Sequence, residues 1–345
     1  MGDAWTALDA SAARIDEVVR PIKLGALAPE MLPPLRAYDV AELAGMTFKA
    51  REPLLAPWLH SQDLCMVFAG RGIGKTHFSI AIAYAVATGG KFLRWQAPQA
   101  RKVLYLDGEL PGAVMQKRLL MHFPDVDPAL GFLRIFTPDL VPDGRTLPDL
   151  ATYEGQDTID QMIDDDTALV IVDNLSAWAR SGRENEAESW HPVSEWILAL
   201  RRRGIAVLLV HHAGKGGQQR GTSKREDLLD VVIGLSRPKD YDPQKGAVFV
   251  VDFTKARNLM GEDAESLELE LAGDDDRATW HWRTVESSTF DRIVDLANEG
   301  LKPNEIAVEL EVNKSTVSRH LRKAREAGLL TATAEMGDAT RGVAR

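Results

Sequence analysis

One segment limits what this chain can fold into more than any other: "LCMVFAGRGIGKTHFSIAIAYAVA", residues 64–87. Apolar residues of strand type lead into Ala69-Gly70-Arg71-Gly72-Ile73-Gly74-Lys75-Thr76, and His77 continues into an uninterrupted helical run. A strand that ends in a glycine-rich turn and passes straight into a helix has the local geometry of a phosphate-binding loop. Glycine lets the backbone close around an anion, and the first amides of the helix point at it. The spacing predicts that residues 69–77 cradle a polyphosphate, that Lys75 reaches the terminal phosphates, and that Thr76 offers a hydroxyl to Mg2+. The pattern G-x-x-x-x-G-K-T is broken only at its first position, where Ala69 replaces glycine and is small enough to do so.

The rest of the chain supplies the setting that such a loop needs. Short β-rich runs at 64–69, 103–107, 133–136, 169–173, 206–211 and 248–253 alternate with helical stretches. That alternation predicts an α/β fold with a mostly parallel sheet covered on both faces. Residues 271–285, "LAGDDDRATWHWRTV", read as a turn and a late hairpin-like strand, after which the β signal stops. The only cysteine, Cys65, lies inside an apolar run, so a buried reduced thiol is expected and a disulfide framework is excluded. With 41 Lys and Arg against 51 Asp and Glu, any nucleic-acid surface has to be local. No secretory leader pattern opens the chain and no run approaches ~18 apolar residues, so a cytoplasmic protein without membrane contact is expected.

Two carboxylate positions complement the loop. "ALVIVDN" is a buried strand ending in Asp173, which the pattern assigns to Mg2+. "KVLYLDGEL" carries Asp107 and Glu109 at a strand end, one of which should activate water. Glu109 is the expected base because it follows the flexible Gly108 and can stand beyond the strand edge; Asp107 is the rival.

These segments, in this order, resemble the RecA-like ATPases, especially the RepA-type hexameric helicases of plasmids and their DnaB-like relatives, over about residues 48–285. The resemblance implies ATP and Mg2+ as ligands, a homo-oligomer of hexameric form, single-stranded DNA in a central channel, and catalysis by Glu109. "VLLVHHAGKGGQQRGTS" is similar to the strand of that family that ends in a γ-phosphate sensor and continues into a channel-facing loop. Either His211 or His212 would then be the sensor, not both, since neighbours on a strand face opposite ways. Lys215, Arg220, Lys224 and Arg225 would lie in the loop, which without aromatics to stack on bases reads equally as solvated. "FTKARN" resembles the Lys-x-Arg pair that such proteins insert into a neighbour's nucleotide, implying that Lys255 and Arg257 act in trans.

The end of the chain, "FDRIVDLANEGLKPNEIAVELEVNKSTVSRHLRKAREAGLL", resembles winged helix-turn-helix domains, with helical patterns at 289–299, 302–311 and 314–327 and a β wing beyond. Ile306, Ala307, Leu310, Val312, Val317 and Leu321 form its expected core, and Ser315 is read as the N-cap of the recognition helix. Lys314, Ser315, Thr316, Ser318 and Arg319 would meet duplex base edges, and Arg322 and Lys323 phosphates. Contact with protein instead of DNA is the alternative. The organisation expected is an N-terminal arm over 1–45, an ATPase domain over 46–285 and the helix-turn-helix over 286–345. The arm does not resemble the helical N-terminal domain of DnaB-like helicases. The function expected is a DNA helicase or translocase serving a plasmid, phage or mobile element; the alternative is an ATP-dependent DNA-binding regulator that does not unwind.

Overall fold

The computed structural model describes residues 35–123, 131–181, 187–213, 224–238, 241–242, 246–273 and 277–331. The chain divides into two compact units, Met1–Lys49 and Ala50–Arg345. In the first, the short helix Val40–Ala44 is closed by a capping box in which Asp39 accepts from the Glu42 amide and Glu42 reaches back to the Asp39 amide.

The second unit is built on a nine-stranded sheet. Its strands are β1 (Leu64–Ala69), β2 (Lys102–Asp107), β3 (Leu133–Phe136), β4 (Thr167–Asp173), β5 (Ala206–His212), β6 (Val231–Ser236), β7 (Ala247–Ala256), β8 (Leu267–Gly273) and β9 (Ala278–Thr284). They lie in the order β9-β8-β7-β6-β1-β5-β4-β2-β3. From β6 to β3 neighbouring strands are parallel; β7, β8 and β9 continue the sheet antiparallel. This is the α/β, mostly parallel sheet expected from the sequence. The strand β6 was not among the expected runs, although it pairs directly with β1.

Alternation along the strands fills both faces. Cys65, Val67 and Ala69 pack with the apolar side of helix α1 (Lys75–Thr88), while Leu64, Met66 and Phe68 pack with Trp178, Trp190, Val193 and Ile197 on the other side. Cys65 is a free, buried thiol, as expected. No helix among the described residues is long and apolar enough to cross a membrane.

Beyond β9 come α3 (Val285–Asn298), α4 (Pro303–Glu309) and α5 (Lys314–Glu326), around a separate small core of Ile293, Ala297, Ile306, Ala307, Val317 and Leu321. Leu310 and Val312 pack against it, so the inward set read from the helical period is the one buried. One detail is corrected. Ser315 does not cap α5: the amides of Thr316 and Val317 bond the Asn313 carbonyl at 2.9 and 3.2 Å, so the helix starts earlier and Ser315 is exposed on its first turn. The expected wing falls mostly on residues 332–345, outside the described residues, as do residues 1–34 of the arm.

Helix α3 follows β9 with no intervening linker, Thr284 serving as its N-cap. The junction is clasped by Glu268 of β8, a side chain only 9% exposed. It accepts from Arg283 of β9 at 2.7 Å, from Ser288 of α3 at 3.0 Å and from Arg292 of α3. Burial alone would raise the Glu268 pKa; the bond from Arg283 and the charge of Arg292 outweigh it and hold the group below the ordinary value of 4.5. A depressed carboxylate stabilises the fold above its unfolded value, and that contribution is lost as pH falls through the folded one. Glu268→Gln is therefore expected to cost about 1–3 kcal/mol in urea denaturation at pH 7, with the gap from wild type closing as the pH is taken below 4.5.

Candidate nucleotide site

Every parallel strand ends on the same rim of the sheet, and a cleft of about 620 Å3 opens there, lined by residues from five strand ends and two helices. The loop after β1 forms its floor. Gly74 adopts φ 129°, and a Cβ there would lie 2.8 Å from the ring of Phe249, so both conformation and space demand glycine. Arg71, Gly72, Gly74, Lys75, Thr76 and His77 line the cleft. Ala69, Gly70 and Ile73 are not among the lining residues, and the Lys75 ammonium donates to the carbonyls of Ala69 at 3.2 Å and Gly70 at 2.9 Å. Burial lowers the Lys75 pKa, an effect partly offset by the nearby charges of Asp173 and Glu109.

Parallel register then brings up the acids. Asp107 pairs with Asp173 across β2 and β4, and both are nearly inaccessible, at 1% and 4%. Their surroundings differ. The Asp173 carboxylate accepts from Tyr105, and the Thr76 hydroxyl beside it works against the rise that burial gives its pKa, so it links the loop helix to the strand as a metal-side acid would. A hydroxyl and one carboxylate are hard oxygen donors that suit Mg2+ completed by phosphate oxygens and water. Among the described residues no cluster of three or more His, Cys, Asp or Glu side chains exists that would build a different kind of metal site.

Asp107 faces its own turn instead, accepting from the amides of Glu109 and Leu110. Glu109 projects into the cleft and lies 3.5 Å from Nε2 of His212. Of the two rival acids, Glu109 is the one open to the cleft and Asp107 the one tied to its own turn. The reason for Gly108 is also corrected: it is not a flexible joint. A Cβ there would sit 2.7 Å from that of Ala177 and 2.9 Å from the Trp178 indole nitrogen, so glycine permits a close approach between this turn and the short helix Leu175–Trp178.

The two histidines separate as strand alternation requires. His211 is fully buried, while His212 lines the cleft, its Nε2 3.2 Å from the Asn174 amide nitrogen. Burial first, then the positive charge of Lys75, lowers the His212 pKa, so it stands neutral beside Glu109 at pH 7. At the far end of the cleft His77 meets His122, the last residue of α2 (Gly112–His122), at 2.8 Å. Burial takes these two down to about 3 and about 4.

Lys255 and Arg257 are not in this cleft. Because β7 runs antiparallel, its C-terminal end lies at the opposite end of the sheet, where Lys255 pairs with Val232 at the start of β6. There Lys255 donates to the Glu226 carbonyl, and half-exposed Arg257 donates to the Asp227 carbonyl at 3.0 Å and lies 3.7 Å from Asp230. The residues 214–223 fall outside the described ones, and so do the side chains of Lys224 and Arg225. On α5, Lys314, Ser315, Ser318, Arg319 and Arg322 are exposed; Thr316 is half-buried, and Lys323 stands 5.2 Å from the Phe290 ring.

Residues that the sequence reading passed over include Asn174, Arg118 and Ala247, all lining the cleft, and Arg237, which donates to the Gly72 carbonyl at 3.1 Å. Asn174 directly follows the strand-end acid; nothing local marks the others.

Residues 29–218 match the family described as AAA domain, and residues 294–332 match the family of bacterial regulatory proteins of the arsR type. No curated protein matches the chain. Among solved structures, a KaiC-like protein of Pyrococcus horikoshii is 13% identical with a TM-score of 0.48, over 66% of this chain and 93% of its own. The RadB recombinase is 15% identical with a TM-score of 0.43, over 61% of this chain and 88% of its own.

Asp107 carries a prediction. Burial, reinforced by Asp173, pushes its pKa to about 6 against the backbone bonds that lower it. An acid whose folded pKa is raised opposes folding while ionised, and the penalty fades as pH falls through the folded value. Asp107→Asn, which keeps an oxygen for the turn amides, is expected to stabilise the protein by about 1–3 kcal/mol at pH 8 and by roughly half as much at pH 5, the gain vanishing only below the unfolded value of 3.8, read by urea denaturation.

Proposed function

The chain belongs to the AAA domain family, and from that membership together with the cleft we propose that it is an ATP-hydrolysing DNA motor: a ring-forming helicase or translocase of a plasmid, phage or other mobile element, acting in the cytoplasm. The observation that carries this reading is the opposition of two half-sites. Lys75, Thr76, Asp173 and Glu109 gather at one end of the sheet, and the Lys255/Arg257 pair stands at the other. A guanidinium that cannot reach its own cleft, yet is half exposed, fits a role in the cleft of the next subunit.

In the reaction, the loop amides and Lys75 hold the β- and γ-phosphates, and Thr76 and Asp173 hold Mg2+, which supplies charge neutralisation when bound. Glu109 takes the proton of the attacking water, with neutral His212 beside it placed to read the γ-phosphate. Arg257 of the adjoining copy stabilises charge on the transferring phosphoryl group. The exposed α5 face, Lys314 through Lys323, engages duplex DNA, and the 1–45, 46–285 and 286–345 segments act as arm, motor and DNA-reading module. The linker-free mount of α3 favours a second reading, a DNA-bound regulator whose ATP state governs assembly without strand separation. A forked-duplex unwinding assay separates the two.

Lys75→Ala is expected to abolish nucleotide binding, and Glu109→Gln to retain binding while kcat falls by about 10²–10⁴; wild-type turnover by Glu109→Gln would return the base to Asp107. Arg319→Ala with Arg322→Ala should weaken duplex binding by about 1–3 kcal/mol for each base edge that an arginine reads, with basal ATPase intact. Arg257→Ala should bind ATP but hydrolyse it about 10³–10⁵-fold more slowly. Mixed with Lys75→Ala subunits it should regain hydrolysis, because mixed interfaces join an intact loop to an intact arginine. No recovery in co-assembled subunits would place Arg257 in a role within its own chain.

A further inference from the structure

The Tyr105 hydroxyl sits where three elements of the cleft meet. Tyr105 belongs to β2, the strand that delivers Glu109, and is fully buried. Its hydroxyl donates to Oδ2 of Asp173 on β4 at 2.7 Å and lies 2.8 Å from Oγ of Ser79, one turn into α1 after Thr76. Ser79 is also fully buried.

Proton counting fixes the direction of this chain. An ionised carboxylate only accepts, so the single Tyr105 proton goes to Asp173, and the Tyr105 oxygen must accept from Ser79. The Ser79 proton is then directed to Tyr105, and the carbonyl of Thr76, 3.1 Å from Oγ, competes for it. A tyrosine hydroxyl buried this completely has no solvent to turn to, so the bond to Asp173 is the one that takes its proton. Thr76, whose hydroxyl is among the groups that lower the Asp173 pKa, belongs to the glycine-rich loop.

From this geometry, and resting on the reading of Asp173 as the metal-side acid, we propose that Tyr105 is a positioning residue for Mg2+: it holds one carboxylate oxygen of Asp173 so that the group presents its remaining lone pairs toward Thr76 and the metal's water. Ser79 orients the Tyr105 hydroxyl in turn. Groups that orient a metal's ligands tune its affinity without touching nucleotide. Tyr105 thereby ties the loop helix, the metal-side strand and the strand of the base into one unit.

Tyr105→Phe removes one oxygen and keeps the ring that fills the core. Calorimetric titration of ADP into the full chain is compared in EDTA and at a series of Mg2+ concentrations, with the Mg2+ dependence of ATP hydrolysis as a second readout. Tyr105→Phe should leave ADP affinity in EDTA within about twofold while raising the Mg2+ needed for half-maximal effect by about tenfold or more, and saturating Mg2+ should restore most of the rate. Ser79→Ala, which leaves Tyr105 in place, should shift the Mg2+ dependence the same way by less. Asp173→Asn serves as the reference. An unmoved Mg2+ dependence in Tyr105→Phe beside a moved one in Asp173→Asn overturns the positioning role alone. If Asp173→Asn moves nothing either, the metal-side reading of Asp173 falls and this proposal with it. An equal loss of ADP affinity in EDTA and in Mg2+ also overturns it, since that is what a purely structural tyrosine would give.

Discussion

Parallel register is the constraint on which the rest of this structure depends. Strands β1, β5, β4 and β2 run side by side, pairing Ala69 with His212, Val210 with Asp173, and Asp173 with Asp107. With neighbouring strands about 4.8 Å apart, the loop, the histidine and the two acids arrive at one rim without any loop having to carry them there. The opposite end of the same sheet is closed by ion pairs. Asp230 accepts from the Leu64 amide at 3.0 Å and from Arg201 at 2.7 Å, while Asp63 holds Arg51. A register slip would break both ends together.

The chemistry of the rim follows from how each carboxylate is used. Asp173 and Asp107 are both withdrawn from water, and burial raises both pKa values. Hydroxyl donors and the nearby charge of Lys75 work against that rise at Asp173, and main-chain amides work against it at Asp107. Glu109, more than half exposed, is the one acid of the three with room to meet a water molecule and a substrate. Pairing the adjacent His212 with Asn174 keeps that imidazole oriented at the mouth of the cleft.

What the sequence made legible is what is decided locally. The glycine-rich loop between strand and helix, the strand-end acid and the core of the C-terminal helices are written in runs of residues that fold into the element they name. The choice between Asp107 and Glu109 rests on the shape of a turn that residue types alone do not announce: main-chain amides two and three residues on capture one carboxylate and leave the other. Either histidine could have faced the cleft until the phase of the β5 pleat was known. Tyr105 bonds partners 26 and 68 residues away, and no spacing within "YLDGE" announces that. Strand β6 carries only a faint signal in the sequence, six residues with a glycine among them. Its place beside β1 is a property of the assembled sheet.

The absence of a linker between β9 and α3 changes how the terminal helices can meet a partner. A module on a flexible tether samples many orientations and loses that freedom when it docks, at a cost of several kcal/mol. Here Thr284 ends the strand and begins the helix, and Glu268 locks the joint from two sides. The orientational freedom has already been surrendered in folding, so docking loses little more of it. The same stiffness makes the helices a lever: a rotation of the sheet's antiparallel edge is passed to α3 as a rotation, with no slack in which it could dissipate.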